Sequence, residues 1–221
     1  MINEFIKRII TGIIFCGILL GAYILNPIYF SICLSIILIT ILVLEWPKLI
    51  PISTKIFWLI TPLYPIAPFA VLIYLNHMYY YRDPIVPLYP FFISFVCDTG
   101  SFVMGKLFGK HKVCPNISPG KSWEGLWGGF IAISLINFFV ATHSKMLSKW
   151  LFLHGTFNTI AFSLILTIVA FCGDIFISFL KRSKKIKDTG NILPGHGGFL
   201  DRFDSVLFVT LVLLPLFMLY R

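Results

Sequence analysis

Seven long apolar runs leave this chain few ways to fold. They extend roughly from Ile9 to Leu25, Ile28 to Leu44, Ile56 to Leu75, Ile85 to Gly105, Gly125 to Thr142, Phe157 to Leu180 and Ser205 to Tyr220. Most approach the about 20 apolar residues that a helix needs to cross a bilayer. In hydrocarbon every backbone N–H and C=O must find its partner within the protein, so spanning structure is helical or a closed barrel. The runs are continuous rather than alternating over about ten residues, which selects helices. Only 12% of the residues are charged against 58% hydrophobic, where a soluble domain carries about 25% charge. A soluble enzyme, a disordered chain and a fibrous repeat are excluded. The expected fold class is all-α: a polytopic membrane bundle of about seven helices in a single domain over residues 1–221.

Asn26-Pro27 separates the first two runs, and because a proline cannot continue the helix in that register they are expected to form a tight hairpin. Pro62, Pro65 and Pro68 make the third run kinked or partly re-entrant. Lys7 and Arg8 precede the first run as in a signal peptide, but no small-x-small cleavage site follows, and the segment is read as a helix of the mature protein. With the N-terminus cytoplasmic, 14 of the 18 basic residues fall on the cytoplasmic side, leaving Arg82, Lys145, Lys149 and Arg221 opposite. That asymmetry fits the positive-inside rule and would also suit an anionic partner, lipid headgroups or a nucleotide phosphate. Nucleic acid is not expected, since the cations sit in short loops rather than along a groove. Cys16, Cys33, Cys97, Cys114 and Cys172 form no C-x-x-C pair and read as small apolar residues.

The nine carboxylates carry more information. Asp98 and Asp174 lie inside apolar runs, where a charge costs about 2.5 to 3.5 kcal/mol on insertion scales and is functional by default. Each lies six or seven residues from the cytoplasmic end of its span, roughly 10 Å at the helical rise. Asp201 and Asp204 precede the seventh run from the same side, and their i, i+3 spacing places both on one face of a helix that begins there. Four carboxylates are thus expected at one level. Clustered acids demand a cation, and without His or Cys at ligand spacing Mg²⁺ fits best, held by one or two carboxylates plus substrate phosphates. A proton or sodium pathway would use buried aspartates as well.

The loops separate these alternatives. Between Lys181 and Asp204, the stretch Pro194-Gly195-His196-Gly197-Gly198 can bring backbone amides against an anion, among Lys181, Arg182, Lys184, Lys185, Lys187 and Arg202. A topology signal alone gives no use to Asp188, Asp201 and Asp204. In the loop from Lys106 to Glu124, Gly120-Lys121-Ser122 suggests a P-loop, but that pattern requires glycine at the position of Pro115. What remains is Lys121 beside a Pro-Gly turn, able to reach a phosphate. Trp123 and Trp127, and Tyr79, Tyr80 and Tyr81 opposite, read as interfacial aromatics.

Ser178-x-x-Lys181-Arg182, Lys187-Asp188-x-Gly190 and Leu193-Pro194-Gly195-His196-Gly197-Gly198-x-x-Asp201-Arg202-x-Asp204 together resemble the signature of the CDP-diacylglycerol synthases, or phosphatidate cytidylyltransferases. Gly173-Asp174, Cys97-Asp98-Thr99-Gly100, Gly105-Lys106-x-x-Gly109-Lys110-His111-Lys112 and Ser118 to Gly125 are similar to the same family, and Glu45-Trp46 more weakly. The resemblance runs from about Ser94 to Ser205, which marks residues 94–221 as a catalytic half behind N-terminal spans at 1–93. It implies transfer of a cytidylyl group from CTP to phosphatidic acid, releasing pyrophosphate, at the cytoplasmic face of an inner membrane, by an enzyme that is a homodimer. It further implies catalytic roles for Asp174, Asp201, Lys187, Asp188 and Arg202, and a metal site for Mg²⁺, alone or with a second cation, at Asp174, Asp201, Asp204 and Asp98. Ser178, Lys181, Arg182, Lys121, His196, Gly197 and Gly198 would bind substrate, with His196 a turn donor rather than a base. Two departures accompany the resemblance: members of the family are usually longer by one or two N-terminal spans, and Ile177 stands where many carry glutamate. The rival readings are a CTP-dependent polyprenol or phytol kinase, which needs a general base for its hydroxyl acceptor, and a cation-coupled transporter, which would show broken helices in two matching halves.

Overall fold

The computed structural model describes residues 2–151, 153 and 155–219. Tyr220 and Arg221, read above as the end of the last span and a far-side charge, lie outside the described residues. Among the described residues five helical stretches are long and apolar enough to cross a membrane: Pro27–Leu49, Lys55–Tyr79, Ile85–Phe108, Trp123–His143 and Thr156–Ser183. The first apolar run lies on helix α1 (Ile2–Leu25) and the seventh on α10 (Leu200–Leu219). The protein is an all-α polytopic integral membrane protein with almost no sheet. Packing divides it into two compact units, residues 2–80 with 180–203 and residues 81–179 with 204–219.

In the first unit α1 turns at Asn26, whose side chain accepts a hydrogen bond from Ile28 N at 2.8 Å, into α2 (Pro27–Thr40). The cap leaves Pro27 at the one helical position where a missing N–H costs nothing. Asn76 Nδ2 ties the hairpin to α5 (Ala67–Tyr79) by donating to Pro27 O at 2.6 Å and Ser31 Oγ at 2.9 Å. Helix α2 continues through a π-helical turn, Ile41–Glu45, into α3 (Trp46–Leu49). The buried Trp46 donates its indole N–H to Thr61 Oγ1 at 2.8 Å on α4 (Lys55–Thr61). The expected kink falls between α4 and α5, where a second π-helical turn, Pro62–Ile66, holds Tyr64 in an extended conformation (φ −154°, ψ 118°).

The second unit is built on the close approach of α6 (Ile85–Phe108) and α7 (Trp123–His143). A Cβ on Gly100 would stand 2.6 Å from Gly128 O, and one on Gly128 2.4 Å from Met104 Cβ. Small residues here let two backbones touch, which is how membrane helices gain packing energy without a hydrophobic drive. Tyr89 donates to Asn137 Oδ1 at 2.6 Å, and Asn137 Nδ2 to Ser163 Oγ at 2.9 Å, linking α6, α7 and α9 (Thr156–Ser183). The segment expected as one loop between α6 and α7 contains a short antiparallel hairpin, β1 (Lys112–Cys114) and β2 (Ser118–Ser122). Ser122 Oγ then caps α7 by accepting from Gly125 N at 3.1 Å. A short helix α8 (Lys145–Trp150) follows α7.

Candidate functional site

Two clusters of charged side chains hold the residues singled out in the sequence. The first lies in the second unit. Gly173 of α9 lets α10 approach, since a Cβ there would stand 2.9 Å from Asp204 O and 3.0 Å from Phe208 Cβ. The next residue, Asp174, accepts a salt bridge from Lys121 Nζ at 2.6 Å, with the two side chains 31% and 15% exposed, and a hydrogen bond from Ser178 Oγ at 3.2 Å. Lys121 leaves β2 and lies 4.2 Å over the ring of Phe171, so its ammonium is fixed by an anion and an aromatic face together. Asp204, buried on α10, accepts from Ser205 N at 2.7 Å and stands in the fields of Asp174, Asp98 and Lys121.

Asp98 of α6 and Asp174 of α9 thus stand within electrostatic range of Asp204 of α10, together with Lys121. Among the described residues no group of three or more Asp, Glu, His or Cys side chains is placed to hold a metal ion. An open set of hard oxygen donors is nevertheless what Mg²⁺ uses when phosphates and water complete its shell. Asp174, Asp204 and Asp98 are oxygen donors of that hard type.

The second cluster lies in the first unit and orders the loop between α9 and α10. Lys181 Nζ and Asp201 Oδ1 are 2.7 Å apart, 12% and 4% exposed. Asp201 Oδ2 accepts from Thr189 N at 2.9 Å, Gly198 N at 2.9 Å and Thr189 Oγ1 at 3.0 Å. It lies ahead of the apolar stretch that begins at Ser205. Burial pushes its carboxyl pKa up, but Lys181 and the amides of Gly198 and Thr189 outweigh this and hold it below the ordinary value. Arg202 donates to His196 O through Nη2 at 2.9 Å and Nε at 3.2 Å. Gly195 (φ 77°) and Gly197 (φ 85°) take the left-handed conformations that the turn requires. Lys187, Asp188 and Arg202 are exposed, and Arg182 Nη1 donates to Ile186 O at 3.2 Å.

The resemblance implies that the Gly197 and Gly198 amides bind phosphate. In the structure Gly198 N donates to Asp201 and Gly197 N to Leu193 O at 3.1 Å, so the anion that this loop encloses is the chain's own carboxylate. Asp201, assigned to metal, is the centre of that enclosure. Glu45, which in the sequence carries only the weaker part of the resemblance, is fully buried at the end of the π-helical turn. It accepts from Phe199 N and Leu200 N, each at 2.8 Å, and from Thr189 Oγ1 at 3.0 Å. Lys48 Nζ donates to Thr189 O at 3.2 Å. Glu45 stands one residue beyond the expected end of the second run, and an ionisable residue adjoining a span was the signal available for it.

These contacts explain Gly198. A Cβ there would stand 2.2 Å from Thr189 Oγ1 and 2.6 Å from Glu45 Cδ. Gly198→Ala is therefore expected to lower stability by about 2 kcal/mol through overpacking, read as a fall in the thermal unfolding midpoint in detergent. An unchanged midpoint would show that the loop yields without strain.

The chain belongs to the cytidylyltransferase family, whose model matches residues 54–220. Several relatives carry the name phosphatidate cytidylyltransferase. One from Rickettsia conorii is 33% identical over 207 residues, covering 93% of this chain and 88% of the relative. Another from Haemophilus influenzae is 34% identical over 188 residues, 75% of this chain and 59% of the relative. A third, from Staphylococcus haemolyticus, is 44% identical over 126 residues, 55% of this chain. This chain spans 45% of the length of that staphylococcal relative.

Proposed function

We propose that the protein is a membrane nucleotidyltransferase that moves the cytidylyl group of CTP onto phosphatidic acid, giving CDP-diacylglycerol and pyrophosphate. The observation that carries this reading is the Lys121–Asp174 pair at 2.6 Å, in the fields shared with Asp98 and Asp204, in a chain whose family handles cytidylyl groups. A phosphate oxygen of the lipid attacks the α-phosphorus of CTP, and the bond from that phosphorus to the bridging oxygen of the leaving pyrophosphate breaks. The lipid phosphate is already an anionic nucleophile, so no general base is needed, in contrast to a hydroxyl acceptor. The protein's task is to position two anions and offset their charge.

Mg²⁺, alone or with a second cation, would supply that offset as a Lewis acid at the phosphates, held by one or two of the carboxylates Asp174, Asp204 and Asp98 and by the substrate phosphates. Lys121 would turn from Asp174 to a phosphate oxygen as nucleotide enters. In the first unit the exposed Lys187, Arg202 and Arg182 offer cations suited to phosphate groups. Lys181 and Asp201 keep the loop built, and Asp188 and His196 belong to it. The lipid tails would stay in the bilayer, with the basic loops on the cytoplasmic side of the membrane and the chain acting as a homodimer.

The test is a comparison of labels. Purified protein in detergent with phosphatidic acid and Mg²⁺ should place label from α-labelled CTP, and none from γ-labelled CTP, in a chloroform-extractable product. Lipid labelled from the γ position would mean a kinase. No labelled lipid from a folded protein that binds CTP would end the synthase reading.

A further inference from the structure

Glu45 has no part in the mechanism above, yet donors from three residues of the distant loop converge on it. It is fully buried, and a buried carboxylate is expensive unless several donors converge on it. Three do, and all belong to the loop or to the start of α10. Phe199 N meets Oε1, Leu200 N meets Oε2, and the Thr189 hydroxyl, whose single proton also faces Asp201 Oδ2, stands 3.0 Å from Oε2. The two amides belong to the end of a helix whose first N–H groups lack intrahelical partners. The loop backbone is fitted closely to this carboxylate: a Cβ on Gly190 would lie 3.4 Å from Oε1, and one on Gly198 2.6 Å from the same atom. Glu45 itself ends a π-helical turn, a departure from α-helix often found at functional sites. One turn later Lys48 reaches the carbonyl of Thr189, so one helical stretch grips both sides of that residue.

We propose that Glu45 is a positioning residue that closes the glycine loop. It fixes Thr189, Phe199 and Leu200, so that Lys187, Asp188 and Arg202 are presented from a backbone of one shape. The kinetic part of this inference rests on the CTP-dependent reading above; the structural part does not. A carboxylate can accept from all three donors, whereas the amide of glutamine turns an N–H₂ toward an N–H and leaves a buried group unsatisfied.

The experiment compares the full chain in detergent with Glu45→Gln, Glu45→Asp and Thr189→Val. Initial rates against CTP concentration are measured, together with hydrogen exchange of peptides covering 187–203 and, as a reference, α6 and α7. Glu45→Gln is expected to raise KM for CTP about tenfold, as loss of buried charge-assisted bonds would, with a smaller fall in kcat. Exchange should accelerate between Thr189 and Leu200 and stay unchanged in α6 and α7. Glu45→Asp should recover part of both effects. Thr189→Val, which leaves the two amide bonds intact, should shift both in the same direction by less, and it decides the matter should Glu45→Gln fail to fold. A purely structural role would lower the active fraction and leave KM where it was; that result, or unaltered exchange in the loop, overturns the proposal. If the wild-type protein labels no lipid, the proposed reaction falls, and the exchange data alone still decide the role of Glu45.

Discussion

Asp174→Asn is expected to reduce the proposed cytidylyl transfer by about 10³-fold, the scale on which removal of one preorganised charge contact acts. Asparagine keeps the shape of the side chain and can still accept from Ser178, which is 3.2 Å away. What disappears is the negative charge facing Lys121 at 2.6 Å and an oxygen donor suited to a hard cation. Packing against α10 is set by Gly173 and should persist, so the thermal midpoint in detergent should move little while the rate collapses. The measurement is the initial rate of label transfer from α-labelled CTP into lipid. A rate within tenfold of wild type would remove Asp174 from the centre of the mechanism.

Lys181→Met should act in the opposite sense, through stability first. The Lys181–Asp201 pair is almost fully buried, and removing one partner of such a pair leaves an uncompensated charge at a cost of about 4 kcal/mol. The sign with pH follows from Asp201, whose pKa is held below the ordinary carboxylate value. Its contribution is fully present above the unfolded value of about 4 and is lost as pH falls through the folded value. Thermal unfolding at neutral pH, with tryptic nicking after Lys184 or Lys185 as a local probe, measures the loss. Lys181→Arg, which keeps the charge, should retain most of the stability. A loss under about 1 kcal/mol for Lys181→Met would mean that the pair is screened like a surface one.

The helices were readable because a long apolar run admits few structures in a bilayer. The runs at Ile85, Gly125 and Phe157 coincide with α6, α7 and α9 to within a few residues, and the proline cluster gave the kink at Tyr64. The hairpin at Lys112–Cys114 and Ser118–Ser122 was not readable, since three- and five-residue strands in a basic, Pro-Gly-containing stretch carry no alternation to speak of. Within the sites, the pairing of Lys121 with Asp174 could not be foreseen from positions 53 apart, although both residues were singled out for their chemistry. Glu45 was harder. Its partners lie 144 to 155 positions away, and its placement depends on a π-helical turn that no periodicity announces.

Gly198 and Glu45 behave as one locus written in two places. Because the glycine has no side chain for the reason that a carboxylate and a threonine hydroxyl already fill the space, alanine at position 198 would meet less strain in a variant of this protein with smaller groups at 45 and 189. Substituted singly, each position carries a cost. Changed together they need not, so a library that varies the loop while keeping Glu45 would miss the less strained combinations, and one built on all three positions would include them.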